Sequence, residues 1–172
     1  MTDPSRFIRE IPDFPKKGII FKDITPLLRD AQAFAQTIEA LRLHHRGDHI
    51  DAVAAVEARG FIFGSALAVA LGAGFIPMRK PGKLPHRTAS ETYSLEYGTD
   101  TIQIHEDAVR GGDRILIVDD LLATGGTAGA AVSLVGRMGA VVVGASFVVE
   151  LGFLAGRAKL GTIPAFALIK YD

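Results

Sequence analysis

The chain has 172 residues, 48% apolar and 22% charged, and its nineteen Lys and Arg balance nineteen Asp and Glu. This length favours one domain with a substantial core, and zero net charge excludes the broad attraction by which general nucleic-acid and acidic-membrane binders hold their partners. The absence of cysteine excludes disulfides, a thiolate nucleophile and cysteine-ligated metal sites. The first residues contain no apolar run typical of a secretion signal, so we expect a cytoplasmic protein.

The predicted elements begin with an irregular N-terminal arm over 1–29, which is rich in Phe, Pro, Ile and charged residues. From Asp30 the pattern is helical, because Phe34, Ile38 and Leu41 repeat at the spacing of one helix face, and Gly47 marks its end. Nothing in the sequence divides the chain further, which predicts a single domain over 1–172 with the arm lying on it.

The segment 60–78 contains nineteen residues without a charge, which approaches the length of a membrane-spanning helix. Its four glycines, Ser65 and Pro77 instead favour a buried helix over 61–71, a Gly-Ala-Gly break and a strand over 75–78. We therefore expect no membrane association.

Five short apolar runs predict strands, at 52–56, 75–78, 115–118, 141–149 and 165–169. Their continuous apolar character is typical of strands covered by helices on both faces. Strands alternating with helices predict an α/β fold with a largely parallel central sheet. The stretch 90–105 alternates polar and apolar residues around a Gly-Thr-Asp turn, which predicts an antiparallel hairpin that acts as a mobile flap over the carboxyl edge of the sheet.

The segment 114–127 is the most informative about chemistry. It begins as a buried strand, continues with Asp119 and Asp120, and reaches Thr-Gly-Gly-Thr where a helix starts. Glycines allow backbone N–H groups to approach a phosphate, threonine hydroxyls add donors, and the helix N-terminus is positive. The two carboxylates can accept hydrogen bonds from sugar hydroxyls. Together these groups predict a ribose 5-phosphate site.

Two other phosphate motifs fit this segment poorly. A P-loop requires a lysine after its last glycine, and none follows Gly126. A dinucleotide fingerprint places its acid about twenty residues after the glycines, whereas here the acids precede them. A simple turn and helix cap would explain the glycines alone, but two uncompensated carboxylates at a buried strand end are costly without a ligand.

The run Val-Asp-Asp-Leu-Leu-Ala-Thr-Gly-Gly-Thr at 118–127 resembles the phosphoribosyl pyrophosphate (PRPP) signature of the type I phosphoribosyltransferases. The segments 14–15, 18–28, 57–64 and 93–98 resemble the adenine-specific branch of that family, and the match runs from about Ile11 to the C-terminus. The resemblance implies the type I phosphoribosyltransferase fold and a purine-salvage enzyme. Such an enzyme transfers the 5-phosphoribosyl group from PRPP to adenine, forming AMP and pyrophosphate, and acts as a homodimer.

The residue patterns predict the phosphate and ribose part of the site and a local anion near the basic residues, and the resemblance implies the pyrophosphate, adenine and flap assignments. The phosphate and ribose are expected at Ala123, Thr124, Gly125, Gly126 and Thr127, with Asp119 and Asp120 as catalytic residues on the ribose hydroxyls. The pyrophosphate is expected at Arg59, Arg79, Lys80 and Lys83, the last reaching across a dimer interface. The adenine is expected between Phe21 and Leu151, with the backbone of Ile20 and Lys22 at its amine edge. On the flap, Tyr97 accompanies the catalytic Glu96, which either handles a purine ring proton or stabilises positive charge at the anomeric carbon.

The basic stretch 79–87 is the only concentrated cluster of cations in the sequence. In a neutral protein it indicates a local anion, and its Pro and Gly content favours a mobile lid, so that loop and flap together occupy 79–105. A merely solvated loop is the alternative for 79–87, as a surface arginine is for Arg59.

The five histidines predict no metal site. Magnesium is the expected cofactor, held mainly by substrate oxygens and not by protein ligands, because it prefers phosphate oxygens and keeps several waters. Two alternatives to the adenine enzyme remain: a transferase for a 6-oxopurine such as hypoxanthine, guanine or xanthine, and a non-catalytic PRPP-binding regulator.

Overall fold

The computed structural model describes residues 3–95 and 98–172. Its strands are β1 (Arg9–Pro12), β2 (Ile20–Asp23), β3 (Ala52–Val56), β4 (Gly74–Met78), β5 (Thr88–Ser94), β6 (Thr99–His105), β7 (Arg114–Leu122), β8 (Val141–Leu151) and β9 (Ala165–Tyr171). Its α-helices are α1 (Thr25–Arg29), α2 (Ala31–His44), α3 (Gly60–Leu71) and α4 (Gly126–Arg137). Short 3₁₀ turns occupy Pro4–Phe7, Gly152–Leu154 and Gly156–Leu160.

The central sheet has five parallel strands in the order β4-β3-β7-β8-β9. Alternate side chains of β7 pack on opposite faces of the sheet. Ile115 and Ile117 pack in a core with α4 and the hairpin strand β6, whereas Leu116 and Val118 pack in a second core with α2 and α3. All five residues of β3 are buried. The predicted α/β fold with a parallel sheet flanked by helices is confirmed.

The N-terminal arm is more regular than the sequence indicates. β1 and β2 form an antiparallel pair in the register Arg9↔Asp23 to Pro12↔Ile20, and α1 follows directly. The turn between the strands is closed by the Asp13 carboxylate, which accepts a hydrogen bond from the Gly18 amide at 2.7 Å. The expectation of an irregular arm was therefore wrong for these elements, because each is too short to show an apolar period.

The strand predicted at 115–118 is longer in the structure and runs to Leu122. β8 pairs with β7 beyond Val118, with Asp119 opposite Phe147 and Leu122 opposite Glu150. The prediction that the acids follow the strand was wrong, because neighbouring strands keep the backbone extended through both of them. Asp119 and Asp120 thus point to opposite faces of β7.

The uncharged segment 60–78 divides as predicted. α3 ends at Gly72, whose φ of +68° is the left-handed conformation that glycine adopts readily, and β4 follows. Among the residues that the structure describes, no helix is long and apolar enough to cross a membrane.

The predicted hairpin is formed by β5 and β6, which pair from Thr88↔His105 to Ser94↔Thr99. It is joined to the edge of the central sheet by a bridge between Arg79 and Gln103, whose amides and carbonyls bond at 2.9 and 2.7 Å. This attachment places the hairpin beside the carboxyl ends of β4, β3 and β7.

Packing of α3 on β3 generates a stability prediction. A Cβ added at Gly64 would lie 2.5 Å from the Cβ of Ala55. Because neither atom can rotate away from the other, the helix would have to shift away from β3. We expect Gly64→Ala to destabilise the fold by about 1–3 kcal/mol, lowering Tm by roughly 2–4 °C per kcal/mol in thermal unfolding.

Gly136→Ala is the matched control, since Gly136 lies in α4 with nothing within 4 Å of an added Cβ. Its free energy of unfolding should equal that of wild type or exceed it by up to about 1 kcal/mol, because alanine favours a helix, so its Tm should not be lower. Equal Tm values for the two variants would contradict the packing described.

Candidate functional site

A cavity of about 320 Å³ opens where β3 and β7 end side by side. The chain turns from β3 to β4 on one side and continues through β7 to β9 on the other, so this point is where the strand order reverses. In open α/β sheets, ligands bind at such a point, outside the carboxyl ends of the strands. The lining comes from the loop after β3, from the hairpin, and from β7 through the start of α4: Val56, Glu57, Ala58, Arg59, Lys80, Tyr93, Asp100, Ile102 and 119–128.

The two predicted acids have different surroundings. The Asp120 side chain is 7% exposed and its Oδ2 lies 2.9 Å from the Nε of Arg59. Asp119 Oδ1 accepts a hydrogen bond from the Asp120 amide at 2.9 Å. Burial, reinforced by the adjacent Asp120 carboxylate, raises the pKa of Asp119 well above its usual range. The expectation of two uncompensated carboxylates was wrong for Asp120, because Arg59 pairs with it.

The first residue of α3 packs directly against Asp119. A Cβ at Gly60 would lie 2.7 Å from Asp119 Oδ1 and 3.2 Å from the carbonyl oxygen of Val118. Only glycine therefore allows the helix to begin this close to the carboxylate. The positive end of α3 then faces the acid pair, which partly offsets its charge.

The predicted phosphate residues form the turn into α4, and all five line the cavity. Gly125 is the N-cap with a φ of +79°, so it has no side chain to cap the first-turn amides. Those N–H groups have no partner inside the helix and carry its positive dipole. The Thr127 hydroxyl lies 3.0 Å from the hydroxyl of Tyr93 on the hairpin. The turn has the geometry of an anion cradle.

The four basic side chains predicted to bind pyrophosphate divide into two groups. Arg59 and Lys80 line the cavity, and Lys80 Nζ pairs with Asp100 at 3.0 Å. Arg79 and Lys83 are not among its lining residues; both bind Glu57, at 3.3 and 3.0 Å.

Glu57 is a cavity residue to which the sequence analysis assigned no role. Its side chain is 9% exposed and accepts a hydrogen bond from the Lys80 amide at 2.5 Å, besides pairing with two cations. Burial opposes ionisation of Glu57, but these donors outweigh burial and lower its pKa. A carboxylate directly after a buried strand, in a chain with one basic cluster, was the feature that could have indicated this pairing.

The predicted adenine residues lie outside the cavity lining. Phe21 lies next to one lining residue, since its ring centre is 5.4 Å from the guanidinium carbon of Arg59. Ile20 is 54% exposed beside it on β2. Lys22 pairs with Glu10 and lies 3.8 Å over the Tyr171 ring, and Leu151 is paired with Tyr171 at the end of β8.

The flap residues Glu96 and Tyr97 lie outside the described residues. The hairpin strands that flank them bring Tyr93 and Asp100 into the cavity, and the sequence analysis assigned a role to neither. Tyr93 contacts Thr127 in the turn into α4, and burial raises the pKa of the Tyr93 hydroxyl.

The chain is similar in sequence to proteins of one known family. Residues 25–159 match the phosphoribosyl transferase domain family. The adenine phosphoribosyltransferase of Solibacter usitatus is 56% identical over 172 residues, covering 100% of this chain and 99% of that protein. That of Thermoanaerobacter sp. is 58% identical over 164 residues, covering 95% of each.

Solved structures agree. The crystal structure of adenine phosphoribosyltransferase from Thermoanaerobacter pseudethanolicus superposes with a TM-score of 0.94 at 57% identity, covering 96% of both chains. The Saccharomyces cerevisiae enzyme, crystallised with adenine and an imino-altritol bisphosphate, gives a TM-score of 0.91 at 43% identity, covering 95% of this chain and 94% of that one. The chain belongs to the phosphoribosyl transferase family, within its group of adenine phosphoribosyltransferases.

Proposed function

We propose that this protein transfers the 5-phosphoribosyl group of PRPP to adenine, forming AMP and pyrophosphate for purine salvage. The observation that carries the proposal is that β7 and its turn bring two carboxylates and an anion cradle into one cavity at the switch point of the sheet. Relatives that are 56% and 58% identical over 100% and 95% of this chain are adenine phosphoribosyltransferases.

The cavity would fix the ribose 5-phosphate at both ends. The amides and hydroxyls of 123–127 would bind the 5-phosphate, and Asp119 and Asp120 would accept hydrogen bonds from the ribose hydroxyls. The bond from the anomeric carbon to pyrophosphate breaks with its electron pair going to pyrophosphate, while a ring nitrogen of adenine bonds to that carbon and loses its proton. Fixed carboxylates stabilise the positive charge that develops on the sugar.

The pyrophosphate would be bound by Arg59, Arg79, Lys80 and Lys83. In the structure these cations already pair with Asp120, Glu57 and Asp100. A pyrophosphate entering the cavity would share or replace those carboxylates as partners. These ion pairs would therefore keep the basic side chains of 79–83 close to the cavity before the substrate binds.

Magnesium would be held chiefly by PRPP oxygens and water. The parts of the chain that the structure describes contain no group of three or more His, Asp or Glu side chains able to hold an ion by themselves. Mg²⁺ typically binds through substrate phosphates, waters and at most one or two carboxylates, so the oxygens of PRPP would supply most of its ligands. When bound, the ion neutralises charge on the departing pyrophosphate.

The adenine would stack on Phe21, with Leu151 on its other side and the backbone of Ile20 and Lys22 at the amine edge. The contact of Phe21 with Arg59 supports this assignment, because it places the arm beside the cavity wall. Glu96 and Tyr97 would lie over the ribose and base, where Glu96 would take the ring proton or stabilise the sugar cation.

We also propose a cytoplasmic homodimer of single-domain chains, with 1–29 as a hood, 79–105 as a moving loop and flap, and no nucleic-acid or membrane partner. α3 supports the dimer, since it carries no charge and leaves Ile62 and Val69 39% and 83% exposed. An apolar helix face of this kind is typical of an interface. Lys83 would reach across it toward the partner's pyrophosphate.

The choice of base tests the proposed reaction. With PRPP and magnesium, we expect nucleotide and pyrophosphate to form from adenine and not from hypoxanthine, guanine or xanthine, as followed by chromatography of the products. Product from a 6-oxopurine alone would establish the alternative transferase. Binding of PRPP without product from any base would establish the non-catalytic regulator.

Asp119→Asn tests the acid pair in two ways. We expect turnover to fall by about 10²-fold, because asparagine cannot take on the negative charge with which an ionised carboxylate would stabilise the sugar cation. We also expect the variant to gain stability relative to wild type as pH rises from about 4 toward neutrality. A raised carboxyl pKa means that the folded chain binds the proton more tightly than the unfolded chain, so wild-type stability decreases as pH rises. Asparagine does not titrate.

The measurements are kcat and Tm across that pH range. Asp107→Asn is the control, since the Asp107 side chain is 72% exposed and Asp107 is not among the residues that line the cavity. It should match wild type in both. If Asp119→Asn turned over at the wild-type rate, the Asp119 carboxylate would have no role in the reaction. A Tm difference between the variant and wild type that does not change with pH would contradict the raised pKa of Asp119.

A further inference from the structure

The phosphate turn is supported from behind by the 3₁₀ segment Gly156–Leu160, which we call the buttress. The two backbones touch directly. A Cβ at Gly125 would lie 2.1 Å from the carbonyl oxygen of Gly156, and a Cβ at Gly156 would lie 2.2 Å from that of Ala123. No side chain fits between them, so the position of the turn depends on that of the buttress.

The buttress also contacts the first turn of α4. A Cβ at Gly129 would lie 2.9 Å from the carbonyl oxygen of Lys159. Leu160, 3% exposed, anchors the end of the buttress in the core that contains α4. The contacts at Gly125 and Gly129 together fix both the cap and the first turn of the helix whose amides face the cavity.

Arg157 fastens the buttress to the sheet. Its Nε and Nη2 donate to the two carboxylate oxygens of Glu150 at 2.7 and 2.6 Å, and its Nη1 donates to the carbonyl oxygen of Ala165 at 2.7 Å. Glu150 is on β8 opposite Leu122, the last residue of β7, and its side chain is 4% exposed. One guanidinium therefore ties the buttress to β8 and β9 at once.

Neither Arg157 nor Glu150 is among the residues that line the cavity. A bidentate pair of this geometry holds direction as well as distance, which a lysine could not reproduce. The buried Glu150 carboxylate also depends on Arg157 for compensation. The pair therefore acts on the cavity indirectly, through the backbone contacts of the buttress with 123–125 and with Gly129.

We propose that Arg157 and Glu150 are positioning residues for the 5-phosphate: they hold the buttress against the phosphate turn and so aim its amides at the ligand. This inference rests on the proposed function, because the phosphate is that of PRPP or AMP. Small displacements of such donors weaken a phosphate contact strongly, since the contact depends on distance and alignment. Binding of adenine should not depend on the pair.

Comparing AMP with adenosine isolates the phosphate. The two ligands differ only in that group, so the ratio of their Kd values in titration calorimetry measures phosphate recognition. Arg157→Ala should weaken AMP binding by about tenfold or more and leave adenosine binding within about twofold. The titrations are made well below the Tm of each variant, so that loss of folded protein does not enter the ratio.

Arg42→Ala is the matched control. Arg42 forms the same bidentate pair with Glu39, at 2.7 and 2.8 Å, on the outer face of α2. This variant should bind both ligands as wild type does. Should Arg157→Ala fail to fold because Glu150 is left unpaired, the double variant Glu150→Leu/Arg157→Leu removes both charges and should show the same selective loss of AMP affinity.

The outcomes separate the two proposals. A wild-type protein that binds AMP no more tightly than adenosine would overturn the proposed function itself. A wild-type preference for AMP that persists in the folded variants, even with a lowered Tm, would overturn the positioning role alone and reduce the pair to a structural ion pair.

Discussion

Two opposite electrostatic requirements meet on one strand of this protein. A sugar phosphate needs hydrogen-bond donors and positive potential at one end and acceptors at the other. β7 supplies the acceptors in Asp119 and Asp120, and the turn after it supplies the donors at the start of α4. Because both groups belong to one strand–turn–helix unit, their spacing is set by the backbone and not by loop flexibility.

This arrangement concentrates charge that must be compensated when no ligand is bound. Arg59 pairs with Asp120, Glu57 pairs with Arg79 and Lys83, and Asp100 pairs with Lys80. The cavity thus holds its cations and carboxylates in mutual contact. Asp119 differs, because burial and the neighbouring carboxylate raise its pKa, so that ionising this side chain lowers the stability of the fold.

Local pattern was enough to predict the elements whose causes are local. The strand at Ala52–Val56 was predicted at both ends because five apolar residues lie between Asp51 and Glu57. The residue types of 123–127 predicted a turn at the end of the strand, and the structure places all five residues in the cavity lining, while their contact with a phosphate stays a prediction. The resemblance to type I phosphoribosyltransferases was confirmed by the family match over residues 25–159.

The remaining features depend on contacts between distant residues. β7 continues through two acids because β8 pairs with it, and Glu57 finds its cations 22 and 26 residues further along the chain. In the sequence, Gly125 and Gly156 have the pattern of ordinary turn residues. Only the structure shows that their backbones are in contact. Hydrophobic period and turn chemistry contain no information about such pairs.

The central claim is that β7 and the turn into α4 bind opposite ends of one sugar phosphate. A crystal structure with AMP tests it most directly. The account predicts the phosphate at the amides of 124–127 and the ribose hydroxyls on Asp119 and Asp120. AMP bound elsewhere with this cavity empty, or bound here with its phosphate on the acids' side, would contradict it.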